Sequence, residues 1–403
     1  MNRKKLIIVM VGLPARGKST IAARLKESMK KEEVHTRVFN NGEIRRRLNL
    51  EDTSSPEFYN PDNSEGKAIR DRIAGTNIRR AKSWLEKRGD VAILDATNVS
   101  RARRETIVSM LSGFPLLFIE CVNNDEEILE ASILQKVKLP EFFHLEADIA
   151  VSDFKKRIHY YKTLYSALNE ERNIVQLDSL NNMILKEELS DEIPYYDRIR
   201  DFLVMDTVKN LYLIRHGETF FNLENRIGGD SSLTERGGEQ ASRLGEYFSR
   251  KRVPVIFTSE KKRTIETAGP IREQQNGCAL YSLKEFDEID SGECECLSYE
   301  EIRKKRPEVF LARKQDKYNY IYPGGEGYVS MKQRIDRGIK KALYLSRNSN
   351  NIMIIGHRAV NRMILSHFLY RRQEDVPYIY IPQRKFFHIV ATHDKKQIQL
   401  KKY

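Results

Sequence analysis

Gly12-Leu13-Pro14-Ala15-Arg16-Gly17-Lys18-Ser19 matches the pattern G-x-x-x-x-G-K-[ST], directly after an apolar run and at the start of a helical one. Glycines let such a loop wrap, so that backbone N–H groups and the helix N-terminus face phosphate oxygens. The cradle is read as Gly12 through Thr20, with Lys18 reaching the β- and γ-phosphates of ATP and the Ser19 hydroxyl holding Mg2+. Asp95 closes the run "VAILDATN". A carboxylate at the carboxyl end of a sheet strand sits where open α/β folds bind ligands. It could hold the metal with Ser19, accept the proton of an attacking hydroxyl, or simply cap the next helix, as Thr97 and Asn98 also could. Beyond it "NVSRARR" supplies Arg101, Arg103 and Arg104, cations able to clamp a phosphorylated acceptor.

A second constellation has different chemistry. Arg215-His216-Gly217-Glu218 follows the apolar "NLYLI"; Arg263 stands in "TSEKKRTIETA", Glu288 in "EFDEIDSGE", and His357 in "IIGHRAV". A histidine that attacks phosphorus needs an unprotonated nitrogen, cations around the phosphoryl oxygens and an acid for the leaving alkoxide. His216 fits the nucleophile, Arg215, Arg263 and His357 the charge stabilisers, and Glu288 the acid. An isolated R-H-G means little, but four elements in this order point to a phosphohistidine route without metal. One polypeptide thus carries a device for adding phosphate and another for removing it.

The elements that must position these residues alternate. "LIIVMVG", "TRVFNNG", "VAILDA" and "PLLFIECV" read as buried strands, with helices expected near 19–31, 64–87, 103–111 and 126–137. "NIVQLDS" reads as the last strand of this half, and "IPYYDRIRDFLVMDTV" as a bridging helix. Nearly continuous apolar strands imply a parallel sheet covered on both faces. "NLYLIRHG", "VIFTSEKKR" and "NIMIIGHRAV" begin a second series, and the boundary falls within 205–209. The fold class is therefore α/β, with two domains, 1–207 and 208–403, each a mostly parallel sheet flanked by helices.

Composition excludes more than it identifies. A chain of 403 residues exceeds one ordinary core. No apolar run approaches a membrane span, and "MNRKK" before "LIIVMVGL" lacks a cleavage site, so a cytoplasmic protein without membrane contact is expected. Four cysteines make no disulfide framework, and Cys294-x-Cys296 has no His/Cys partners for a metal. The net charge of +13 admits polyanionic substrates, but no zinc-finger or RRM signature accompanies it, and nucleic acid is not an expected partner.

Together these residues resemble the bifunctional 6-phosphofructo-2-kinase/fructose-2,6-bisphosphatase family, through "VGLPARGK", "DATN", "RHGE", "RIGGD", "EFDEID" and "DKYNYIYPGGE". The resemblance implies a P-loop kinase domain that transfers the ATP γ-phosphate to the 2-hydroxyl of fructose 6-phosphate. It implies a phosphoglycerate mutase-like histidine phosphatase domain that removes it again without a cofactor. It places Arg45, Arg70, Thr97, Arg103, Lys138, Arg157 and Tyr161 at fructose 6-phosphate, and the segment Ile133 to Lys138 at ATP. In the second domain it places Arg215, Asn222, Gly228, Arg263, Tyr299, Arg313, Lys317, Tyr328 and Arg362 at the sugar bisphosphate, with His357 completing the phosphate pocket. Oligomeric state is left open, with a homodimer as one arrangement.

Two positions depart from the animal enzymes: Asn123 stands where they have a functional cysteine, with Cys121 two residues earlier, and Arg358 where they have glutamine. The chain also starts at its first strand and ends soon after "HIVATHDKKQ", so no phosphorylation-controlled balance of the animal type is expected. Two other readings compete. A polynucleotide end-processing kinase/phosphatase would need a groove for a strand, whereas the sequence offers compact Arg/Lys/Tyr sets. A non-catalytic sensor of nucleotide or sugar phosphate would have no use for a proton donor such as Glu288.

Overall fold

The computed structural model describes residues 4–48, 53–369, 371–392 and 394–403. The chain divides into two compact units, the first ending at Met205 and the second beginning at Asp206.

The first unit runs β1 (Leu6–Val11), α1 (Lys18–Lys31), β2 (Thr36–Asn40), α2 (Asn41–Arg47), α3 (Ser64–Lys87), β3 (Val91–Asp95), α4 (Arg101–Met110), β4 (Leu116–Val122), α5 (Glu126–Lys136), α6 (Ala147–Thr163), β5 (Asn173–Asp178), β6 (Met183–Leu189) and α7 (Tyr196–Val204). Its sheet has the order β2-β3-β1-β4-β5-β6, parallel except for β6. Alternate residues of β1 serve opposite cores, as the pleat requires. Leu6, Ile8 and Met10 meet Ala22, Leu25 and Met29 of α1, while Ile7, Val9 and Val11 meet Ile78, Ala81 and Leu85 of α3. Two expectations are corrected. β5 is not the last strand, because β6 follows it antiparallel at the sheet edge. Nor does α7 act as a bridge: its Ile199, Phe202 and Leu203 are buried in the first unit's own core.

The second unit runs β7 (Val208–Arg215), α8 (Phe220–Leu223), α9 (Glu235–Phe248), β8 (Val255–Thr258), α10 (Lys262–Glu273), β9 (Ala279–Ser282), α11 (Tyr299–Lys305), α12 (Pro307–Gln315), α13 (Tyr328–Leu345), β10 (Asn351–Gly356), α14 (Arg358–Leu369), β11 (Lys385–Ala391) and β12 (Lys396–Lys402). The sheet order is β12-β11-β7-β10-β8-β9, with β7, β10, β8 and β9 parallel, β11 antiparallel to β7 and β12 antiparallel to β11. Leu244 and Phe248 of α9 and Ala268 and Ile271 of α10 cover Tyr212 and Ile214 of β7.

Each sheet has a point where adjacent parallel strands send their connections opposite ways. In the first, β1 leads out to β2 while its neighbour β4 leads to β5; in the second, β8 leads to β9 while its neighbour β10 returns to β11. Ligands of open α/β sheets bind at the carboxyl ends beside such points. Among the described residues, no helix is long and apolar enough to cross a membrane.

Candidate active sites

The loop between β1 and α1 takes its shape from three left-handed residues, Gly12 (φ 133), Ala15 (φ 61) and Gly17 (φ 86). A Cβ on Gly12 would fall 2.5 Å from the Cys121 carbonyl oxygen, so only glycine fits against β4. Lys18 is buried and its Nζ donates to the Leu13 carbonyl at 2.6 Å. Burial pushes that ammonium down to about 8 against the pull of Cys121 and Asp95. Ser19, beside it, is exposed at the start of α1. Asp95 is buried at the end of β3 and accepts a hydrogen bond from Asn40 Nδ2. It does not cap α4, whose N-cap residue is Ser100; Asn98 instead donates to the Met10 carbonyl at 2.9 Å.

Beside this loop lies a cavity of about 320 Å³ whose walls include Arg45, Arg70, Thr97, Arg103, Arg157 and Tyr161. Its cations are desolvated: burial, then Arg157 and Arg46, lower the Arg45 guanidinium to about 9, and burial lowers Arg157. Arg45 donates to the Thr53 carbonyl at 2.9 Å and pairs with Glu141, yet among the described residues its Nε has no hydrogen-bond partner, and neither has the Nε of Arg157. The Arg157 guanidinium lies 3.9 Å from the Tyr59 ring centroid. Lys138 is exposed and outside the cavity lining. Of Arg101, Arg103 and Arg104, only Arg103 lines the cavity. Arg101 pairs with Glu105 and Glu170 at the surface, and Arg104 is a buried pin, held by Glu171 and the carbonyls of Val99 at 2.8 Å and Ala167 at 3.2 Å. The clamp expected of all three is thus a single residue.

In the second unit a cavity of about 310 Å³ brings together Arg215, His216, Asn222, Gly228, Arg263, Glu288, Tyr299, Arg313, Lys317, Tyr328 and Arg362. His216 Nδ1 lies 2.7 Å from the Gly217 carbonyl oxygen. A carbonyl only accepts, so Nδ1 carries the proton and Nε2 keeps its lone pair. Burial, then Arg215 and Arg263, hold the imidazole well below its ordinary range, so it is neutral at physiological pH. Arg215 Nε is buried with no hydrogen-bond partner among the described residues, and burial and Arg358 lower this group to about 10. Glu288 accepts from the backbone N–H groups of Ile289 at 3.0 Å and Arg358 at 3.1 Å, which fixes it against the start of α14. At the far end, Arg313 lies between the rings of Tyr299 (5.5 Å) and Tyr322 (5.7 Å), Arg362 donates to Tyr328 Oη at 3.0 Å, and Lys317 lies 5.0 Å over Tyr378.

His357 is fully buried but does not line this cavity. Its Nδ1 faces Arg263 Nε at 3.2 Å and its Nε2 faces Ser259 Oγ at 2.8 Å, so it stands behind the cations and not among the groups facing a ligand. Among the described residues no cluster of three or more His, Cys, Asp or Glu could hold a metal, and the four cysteines form no disulfide.

Residues 1–216 match the model of the 6-phosphofructo-2-kinase family, and residues 211–402 that of the histidine phosphatase superfamily, branch 1. The chain is 37% identical over 394 residues to 6-phosphofructo-2-kinase/fructose-2,6-bisphosphatase 4 of Macaca fascicularis, covering 95% of this chain and 81% of the relative. The chain belongs to the 6-phosphofructo-2-kinase/fructose-2,6-bisphosphatase family. It is also 36% identical over 395 residues to the enzyme named 6-phosphofructo-2-kinase/fructose-2,6-bisphosphatase 3 of Homo sapiens, covering 95% of this chain and 74% of that one. Among solved structures it is similar to an alpha-ribazole phosphatase from Shigella flexneri, at 24% identity and a TM-score of 0.45 over 48% of this chain and 96% of that one.

Several residues that shape the family's two sites here carry no motif signal. Glu141 neutralises Arg45 from a turn far along the chain. Glu295 accepts from the N–H of Gly229 at 2.5 Å and of Ser291 at 2.7 Å, tying the "RIGGD" loop to the Glu288 segment. That tie explains Gly228 (φ 67), where a Cβ would fall 2.0 Å from Glu295. Gln383 donates to Asn222 Oδ1 at 2.8 Å and orients that amide. Only partner counting in three dimensions reveals such roles.

Proposed function

We propose that this chain makes and breaks fructose 2,6-bisphosphate: residues 1–207 transfer a phosphoryl group from ATP to the 2-hydroxyl of fructose 6-phosphate, and residues 208–403 hydrolyse the product. The observation that carries this reading is the likeness of the two cavities. They are of similar size, about 320 and 310 Å³, and each is lined by several guanidinium groups, Arg45, Arg70, Arg103 and Arg157 in the first and Arg215, Arg263, Arg313 and Arg362 in the second. Leaving buried cationic donors unpaired is costly, so a phosphorylated ligand is the natural complement. Both cavities suit a small sugar phosphate better than a polynucleotide strand, which disfavours the end-processing alternative.

In the kinase, the loop amides and the N-terminus of α1 cradle the ATP phosphates, and Lys18 neutralises charge at the β/γ junction. Arg45, Arg70, Arg103 and Arg157 hold the 6-phosphate and the sugar, with Thr97 and Tyr161 beside its hydroxyls. The Ser19 hydroxyl and the Asp95 carboxylate form an oxygen-only donor pair that fits Mg2+, which takes few protein ligands and completes its shell with phosphate and water. When bound, the metal would neutralise charge on the transferring group. Asp95 serves either there or as acceptor of the 2-hydroxyl proton.

In the phosphatase, His216 Nε2 attacks phosphorus, the P–O2 bond breaks, and Glu288 gives its proton to the departing oxygen. Water then attacks the phosphohistidine, Glu288 takes back a proton, and phosphate leaves with His216 restored. Arg215 and Arg263 hold the phosphoryl oxygens throughout; Arg313, Lys317, Tyr328 and Arg362 hold the 6-phosphate. A sensor would need none of this proton machinery. The decisive experiment incubates the protein with γ-labelled ATP and either fructose 6-phosphate or a 5′-hydroxyl oligonucleotide, then chases for release of labelled phosphate. Label is expected in the sugar and then in free phosphate. Label entering only the oligonucleotide, or ligand binding without turnover, would overturn the proposal.

A further inference from the structure

Behind the second cavity, a chain of side chains has only one consistent arrangement of protons. Arg263 Nε lies 3.2 Å from His357 Nδ1, and a guanidinium only donates, so Nδ1 must be an acceptor. Burial, then Arg263 and His216, hold His357 well below its ordinary range, so the ring is neutral and its one proton sits on Nε2. That N–H points at Ser259 Oγ, 2.8 Å away. Ser259 Oγ also accepts from the Lys261 backbone N–H at 3.1 Å, which fills both its lone pairs. Its own proton therefore goes to Thr264 Oγ1 at 2.9 Å, and Thr264 in turn donates to a backbone carbonyl, that of Lys261 at 2.9 Å or of Ser259 at 3.3 Å. Ser259, Thr264 and His357 are each 0% exposed, so water cannot substitute for any link.

We infer that Ser259 and Thr264 are positioning residues for the phosphatase reaction, acting through His357 to aim Arg263 at the reacting phosphoryl group. Reversing any one hydroxyl would put two protons, or none, between a pair of nitrogens and oxygens. The chain thus fixes His357 as the Nε2–H tautomer, whose Nδ1 lone pair holds the Nε edge of the Arg263 guanidinium. With Nε held there and Nη1 donating to the Gly229 carbonyl at 2.8 Å, the plane of the fork is set at two points. A misaimed donor in a preorganised site costs rate more than affinity. This inference rests on the phosphatase reading above and assigns to His357 an indirect part in it.

The test uses the full-length chain. Ser259→Ala is expected to lower phosphatase kcat by about tenfold or more, as loss of a tautomer-fixing partner does elsewhere, while changing KM far less. Kinase turnover in the same preparation should be unchanged, and Ser259→Thr should restore most of the lost kcat. In a His357→Ala background, Ser259→Ala should change kcat by less than about twofold, because the two act as one unit. Long-range 1H–15N spectra of histidine-labelled protein should show His357 with its proton on Nε2, and a tautomer mixture in Ser259→Ala. If Ser259→Ala loses kinase turnover as well, Thr264→Val, one link farther away, should show the same tautomer mixing and a smaller loss of kcat. Full phosphatase activity in Ser259→Ala, an equal loss on top of His357→Ala, or a parent His357 protonated on Nδ1 would overturn the inference. Absence of a phosphoenzyme in the parent would instead sink the phosphatase reading itself.

Discussion

Raising the pH from 7 to 9 should weaken substrate capture by the phosphatase through one side chain, Lys317. It is half-buried at the far end of the cavity, donates to the Pro377 carbonyl at 3.1 Å, and shares its surroundings with Arg362, Arg313 and Arg358. Burial first, then those three cations, push its ammonium down to about 8. The sign follows: charge is present below pH 8 and lost above it. With that midpoint the charged fraction falls from about nine-tenths at pH 7 to about one-tenth at pH 9, a roughly ninefold change. A phosphate monoester is already dianionic across this range, since its second ionisation lies near pH 6. His216 is neutral throughout, and Arg215, at about 10, keeps most of its charge. If the 6-phosphate is captured only by the charged lysine, kcat/KM for fructose 2,6-bisphosphate should fall about ninefold between pH 7 and 9. That fall is read as the difference between the parent profile and that of Lys317→Arg, which shares every other group that gives or takes a proton in the reaction. ATP is left out of the assay, since Lys18 titrates near the same pH and would confuse the two halves. Lys317→Arg should flatten the profile, because a guanidinium does not lose its proton here. An equal fall in Lys317→Arg would refute the assignment.

Three further outcomes are expected. Lys18→Met should abolish synthesis of fructose 2,6-bisphosphate and leave its hydrolysis intact; equal loss of both in a folded protein would contradict the division of labour. His216→Ala should eliminate a protein-bound label derived from the 2-phosphate, one that is labile in acid and durable in base, while sparing the kinase; hydrolysis at the parent rate would require another nucleophile. Glu141→Gln should destabilise the first unit by about 3 kcal/mol, because it strips the buried Arg45 of its counter-charge. Fructose 6-phosphate should then raise Tm more in the variant than in the parent, and an unchanged Tm would show that the pair carries no stability.

Buried strands were easy to read because each is apolar on both faces, as in "LIIVMV" and "VAILD", the second of which ends in Asp95 at the site. β6 was invisible for the opposite reason. It is a polar edge strand, "MILKEEL", whose identity comes only from pairing with β5. Neighbouring arginines raised a related problem of phase. Arg103 and Arg104 are alike in sequence, but successive residues point about 100° apart around a helix. Only the start of α4 at Arg101 decides that one faces the cavity and the other the core. The P-loop was legible because its glycines are demanded by backbone shape and not by side-chain partners.

His357 shows where a reading by residue type stops. A histidine after an apolar strand, in a chain already holding Arg215, His216 and Arg263, is assigned to the phosphate by its chemistry alone. Its place depends on which atoms occupy its two nitrogens, and those come from α10 and the loop before it, about a hundred residues upstream. Ser259 and Thr264 look in sequence like the capping residues that begin any helix, and Ser259 does accept from the Lys261 backbone N–H as such a residue can. What separates a cap from a positioning chain is the count of donors and acceptors around one buried ring. That count closes only when Arg263 Nε, a group that cannot accept, is placed against Nδ1. The same arginine therefore lines the cavity and ends the chain of hydrogen bonds behind it.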